Sequence, residues 1–166
     1  MPTSTYVALA TVTLAGTDSE IVFSSIPATY RDLVLVTNFA ESAVTGNIEL
    51  RYNSDTGSNY SQVFMAGREY NSSTESSSGT FSLHYLNVGS RPSGARSVNV
   101  LQIMDYSDTS KHKTTLFRSN RASGGVLAQV GRWANTAAIT SVAISGGLSQ
   151  GFASGTTLSL YGSNRL

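Results

Sequence analysis

Apolar residues along this chain fall in short runs, and several of those runs alternate with polar residues. Ile48, Leu50 and Tyr52 alternate with Asn47, Glu49 and Arg51, the period of a strand with one buried face. Phe81, Leu83 and Tyr85 alternate with Ser82 and His84, and Thr157 to Tyr161 repeats the pattern. Ile139 to Ile144 is rich in β-branched residues, which favour strands. Leu33 to Val36 is continuously apolar, as expected of a strand covered on both faces, and Val98 to Met104 reads similarly, interrupted by Asn99 and Gln102.

Turn chemistry separates the runs. Ala15-Gly16-Thr17-Asp18, Asp55-Thr56-Gly57, Ser90-Arg91-Pro92-Ser93-Gly94, Ser123-Gly124-Gly125 and Ser145-Gly146-Gly147 each carry turn residues. The spacing predicts roughly ten strands, enough for a sandwich. No window of a dozen residues holds a convincing helix; the nearest, 37–44, is short and ends at Thr45-Gly46. The expected fold is therefore all-β, a jelly-roll-like antiparallel β-sandwich forming a single domain over 1–166. The Ser-rich stretch 71–79 has almost nothing to bury and is expected to be a long exposed loop. Residues 53–59 read as the end of a hairpin.

Composition narrows the function. Charged residues make up 13% of the chain against 40% hydrophobic, so a core can form and wholesale disorder is excluded. A net charge of +1 supplies no basic field for a phosphate backbone, so no nucleic-acid partner is expected. Cysteine is absent, which removes disulfides, thiolate nucleophiles and Cys-ligated zinc. No apolar run approaches the ~18 residues of a spanning helix, and no basic residue precedes the first apolar run, so neither membrane insertion nor a signal peptide is expected.

Groups able to carry chemistry are sparse. His112 sits between Lys111 and Lys113, and His84 lies on the polar side of its alternation. Serines abound, but the G-x-S-x-G elbow does not occur. Asp105 and Asp108, with Glu69 and Glu75 around the Ser-rich stretch, are the candidates for paired carboxylates. The turn is the stronger reading of Asp-Tyr-Ser-Asp-Thr-Ser, with each Asp bonding nearby backbone N–H groups. Asn53, Asp55 and Gly57 resemble a calcium loop only faintly, because no closing Glu follows. Neither a catalytic site, a metal site nor a cofactor is expected. Trp133, Tyr106, Tyr70 and Tyr60 are the candidates for stacking on a glycan, weighed against ordinary core packing.

Five segments, taken together and in order, resemble a β-sandwich module of tailed-bacteriophage virion surface proteins. They are IVFSSIPATYRDLVLV at 21–36, RYNSDTGSNYS at 51–61, IMDYSDTSK at 103–111, WANTAAITSV at 133–142 and FASGTTLSLYG at 152–162. The resemblance implies a non-enzymatic structural protein located on the virion, as a tail-fibre or tail-appendage head contacting the host surface. Capsid decoration is the alternative, and a carbohydrate-binding module a further one. Fibre chains of this kind carry an attachment region and a shaft, whereas here the module is expected to stand alone. Implied partners are fibre, baseplate or capsid subunits, two further copies in a homotrimer, and a host surface glycan. The resemblance brings no catalytic residue with it.

Overall fold

A computed structural model describes residues 4–40, 46–68, 71–83, 86–91, 96–121, 125–146 and 151–164. Among these residues the chain is built of strands and contains no helix. In chain order they are β1 (Tyr6–Thr13), β2 (Glu20–Phe23), β3 (Asp32–Phe39), β4 (Gly46–Tyr52), β5 (Tyr60–Arg68) and β6 (Asn71–Leu83). There follow β7 (Leu86–Arg91), β8 (Ser97–Met104), β9 (Lys113–Arg121), β10 (Gly125–Trp133), β11 (Val142–Gly146) and β12 (Thr157–Ser163).

Two antiparallel sheets result. The larger has the order β1-β12-β3-β8-β9-β10-β5-β6, and the smaller β2-β11-β4-β7. Eight of the strands form nested antiparallel pairs, β1 with β12, β2 with β11, β3 with β8 and β4 with β7, dealt alternately to the two sheets. That nesting is the jelly roll. The other four strands, β9, β10, β5 and β6, extend the larger sheet beyond β8. The protein is thus an all-β antiparallel sandwich of the kind the alternation predicts, with twelve strands among the described residues where the spacing predicts roughly ten.

Burial follows the period of two. Ile48, Leu50 and Tyr52 of β4 face Leu33, Leu35, Leu101, Ile103 and Phe117 of the larger sheet's inner side, all within one core cluster. Leu158 and Leu160 of β12 join it, as do Val142 and Ile144 of β11. The rings of Phe39 and Phe152 stack at 5.1 Å. Gly131 of β10 faces inward, and Leu86 of β7 fills the space where a side chain would stand, 2.7 Å from an ideal Cβ position. The missing side chain lets the two sheets approach there.

Several expectations from the sequence change. Leu33 and Leu35 are buried, but Val34 and Val36 are only half-buried on the uncovered outer face, so β3 is covered on one side. In β8 the inward residues are Ser97, Asn99, Leu101 and Ile103, while Val98 faces out at 48% exposure. The Ser-rich segment is strand β6, paired with β5 from Tyr60↔Leu83 to Arg68↔Asn71 with three irregularities, and not a loop. An edge strand needs only backbone partners, which β5 provides. Residues 53–59 are no hairpin end: they carry the chain from β4 in the smaller sheet to β5 in the larger. Strand β11 starts at Val142, with Ile139 buried in the segment before it.

Candidate functional site

Trp133 closes β10 opposite Tyr60 of β5, and both are 1% exposed. Their rings stack at 6.5 Å, and Tyr52 packs on Trp133 at 5.6 Å. The polar edges of this cluster are spent on the 53–59 crossing. The Trp133 indole N–H donates to Asp55 Oδ2 at 2.7 Å, and Tyr60 Oη accepts from Tyr52 N while donating to the Asp55 carbonyl. Asp55 also accepts from Gly57 N at 2.8 Å and Asn59 Nδ2 at 2.9 Å. Burial pushes the Asp55 carboxyl up, but the hydrogen bonds from Asn59, Trp133 and Gly57 outweigh it and hold the group below the usual range. Burial pushes the Tyr60 phenol up to about 12 and the Tyr52 phenol higher still. Tyr52 Oη in turn shares a hydrogen bond with Thr115 Oγ1 across the two sheets.

Tyr106 is fully buried. It donates to the Pro27 carbonyl, and its own carbonyl accepts from Ile139 N at 2.8 Å. Trp133, Tyr60 and Tyr106 are therefore core side chains with no ring face open to a sugar, which corrects their candidacy for glycan stacking. Tyr70 lies outside the described residues. Sequence alone does not separate a core ring from a rim ring, since both suit Trp and Tyr.

The remaining polar candidates are also committed internally. Lys111 Nζ lies 2.7 Å from Asp105 and 3.6 Å from Asp108. Asp108 further accepts from Ser110 Oγ and Ser110 N, and these bonds hold its carboxyl low, the opposite of a general acid's requirement. His112 Nδ1 accepts from Arg132 at 2.7 and 3.2 Å. Lys113 is buried, donating to the carbonyls of Lys111 and Thr136, and burial pushes its ammonium down. Asn53, at φ 51°, accepts from Thr140 N and Ser141 N and donates to the Ala138 carbonyl. With Asn53 and Asp55 so engaged, the 53–59 segment is an inter-sheet tie rather than a calcium loop. Among the described residues no three metal-ligating side chains cluster.

One surface stands apart from this pattern. Of the large hydrophobic side chains exposed among the described residues, Val63, Met65, Val98, Leu116, Val126 and Val130 all lie on the outer face of β5, β10, β9 and β8. The registers place them in adjoining rows. Val63 pairs with Val130 and Val130 with Leu116; Met65 pairs with Ala128 and Ala128 with Arg118; Val126 pairs with Asn120 and Asn120 with Val98. Arg118 is exposed in the middle of the face, and no described carboxylate pairs with it. At one end a shallow groove of about 360 Å3 is lined by Ser61, Val63, Thr114, Val130 and Arg132. The signal for this face was present in the sequence as alternate apolar residues in 126–130 and 63–65, but periodicity does not tell which of two faces is covered.

No family model matches the chain, and no curated protein matches it. Among solved structures it is similar to a protein of unknown function from Shewanella oneidensis MR-1, at 8% identity over 99% of this chain and 79% of that one, with a TM-score of 0.24. A likeness of that size carries nothing about function. The class established by the fold is the all-β antiparallel sandwich, here wound as a jelly roll.

Proposed function

We propose that the chain is a non-enzymatic structural protein on the exterior of a tailed-phage particle, serving as the head of a tail fibre or tail appendage that contacts the host surface. Support for the virion comes from the sequence resemblance over 21–36, 51–61, 103–111, 133–142 and 152–162. The observation that carries the non-enzymatic part is where the polar groups go. Asp55, Asp108, Lys111, Lys113 and Trp133 bind other parts of the fold, while most of the exposed large apolar side chains among the described residues, Tyr6 and Val22 apart, gather on one sheet face. A structural module needs a stable scaffold and a contact surface, and does not need convergent acid, base and nucleophile.

A second reading, capsid decoration, is favoured by a specific observation. Trp133, Tyr106 and Tyr60, three of the rings expected to meet a host glycan, are buried, and an apolar sheet face suits contact with another protein subunit. The carbohydrate-binding module loses Trp133, Tyr106 and Tyr60 as platforms by the same observation. Both virion readings retain fibre, baseplate or capsid subunits as partners and a homotrimer as the assembly.

Proteomics of purified particles followed by immunogold labelling tests the proposal. Label on tail or fibre supports the first reading, and label on the head lattice supports the second. A chain missing from purified particles overturns both.

A further inference from the structure

The outer face of β5, β10, β9 and β8 has the composition of an interface core. Exposed valines, Met65 and Leu116 surround Arg118, and the outward positions of these four strands carry no Lys, Asp or Glu. Methionine and arginine are enriched at protein interfaces, where Lys, Asp and Glu are depleted. From strand spacing and rise, four strands by eight residues cover about 500 Å2. Half-buried Val34 and Val36 of β3 continue the face towards the ~800 Å2 per partner of a standard interface.

Charge decides the occupant. Among the described residues of these four strands Arg118 and Arg132 are the outward ionised groups. The carboxylate bordering them, Asp32 of β3, is buried and already accepts from Gln102 Nε2 and Asp105 N. A second copy laid face to face would therefore bring four guanidinium groups together without a free carboxylate to offset them. We infer that this face docks a different protein, one presenting an apolar patch with a carboxylate that meets Arg118. A planar guanidinium takes a carboxylate through two parallel hydrogen bonds, and the surrounding apolar contact excludes water from the pair. The groove beside Arg132, with the hydroxyls of Ser61 and Thr114 on its wall, receives a second acidic or polar side chain. The inference rests on the structural reading above only for naming that partner as a virion subunit.

Photo-cross-linking in the cells that make the protein tests it, with benzoylphenylalanine placed at Val130 and, as the control on the other sheet, at exposed Val22. The expected result is a protein adduct from Val130 whose cross-linked peptide contains Asp or Glu. Arg118→Glu should reduce that adduct by roughly tenfold, the equivalent of losing about 1.4 kcal/mol of binding, and Val22 should give none. Arg118 is exposed, so the urea midpoint of Arg118→Glu should match the parent and exclude misfolding as the cause. No adduct at Val130, an adduct insensitive to Arg118→Glu, equal capture at Val22, or an adduct to a second copy overturns the inference. Flotation of the purified protein with phosphatidylglycerol vesicles, lost in Arg118→Glu, also overturns it by making the face a lipid surface. An Arg118-dependent adduct to a protein foreign to any particle leaves the docking face standing and removes the virion reading.

Discussion

The indole N–H of Trp133 donates to Asp55 at 2.7 Å, and this one bond ties the last residue of β10 to the crossing between the two sheets. Because Asp55 also receives Gly57 and Asn59, the carboxylate is the point on which the crossing is wound. Asp55→Ala should cost about 1–3 kcal/mol, since it strands donors that are partly out of water. Urea denaturation of the variant beside the parent measures the cost.

The Asp55 carboxyl is held below its usual value in the fold, so its contribution has a defined pH dependence. The stabilisation is complete above the unfolded-state pKa of about 3.9 and is lost as pH falls through the lower folded value. The stability gap between parent and Asp55→Ala should therefore narrow on acidification below about pH 4. Denaturation at pH 6, 4 and 3 reads it directly.

Trp133 is the only tryptophan in the chain, and its burial can be read by fluorescence. The emission should be blue-shifted and resist acrylamide quenching in the folded protein, then move red and become quenchable in urea. Sugars should leave it unchanged. Trp133→Ala should lower stability by about 3–5 kcal/mol, the range for emptying a large aromatic site.

Gly131 and Leu86 form a contact between the sheets that admits no added side chain. Gly131→Ala should destabilise by about 1–3 kcal/mol through overpacking. Leu86→Ala in the same chain should recover part of that loss, so the double mutant should be more stable than the sum of the two single changes predicts. A double-mutant cycle by urea denaturation gives the coupling.

Lys113 is a buried ammonium whose pKa burial pushes down, and its donors go to two backbone carbonyls. For a base depressed in the fold, the unfolded chain binds more protons between the two pKa values, so stability rises with pH across that interval. The interval ends at the unfolded value of about 10.4. Denaturation midpoints should climb as pH approaches it, and Lys113→Met should flatten that climb.

The parts of the fold legible in the sequence are those where alternation and burial agree. Ile48, Leu50 and Tyr52 are all buried, and so are Leu158 and Leu160 of the 157–161 run. Strand β8 shows where the signal fails. Leu101 and Ile103 must face the core, and the period of two then carries Asn99 inward and Val98 outward, against their individual preferences. Asn99 donates to Thr37 Oγ1 at 2.9 Å as partial compensation. In β6 composition points to a loop, whereas strand pairing depends on the neighbour that β5 offers, which no local window contains. The docking face was hidden for a related reason. Val63, Leu116, Val126 and Val130 look like core residues until the topology shows that the smaller sheet covers only the other side.

The measurement that bears most directly on the account is cryo-electron microscopy of the intact particle, with this chain assigned to density. The jelly roll should stand on the particle's exterior, with the face around Val130 and Arg118 seated against another subunit and a carboxylate opposite Arg118. A particle in which that face stands bare to solvent, or one that lacks the chain, would contradict it.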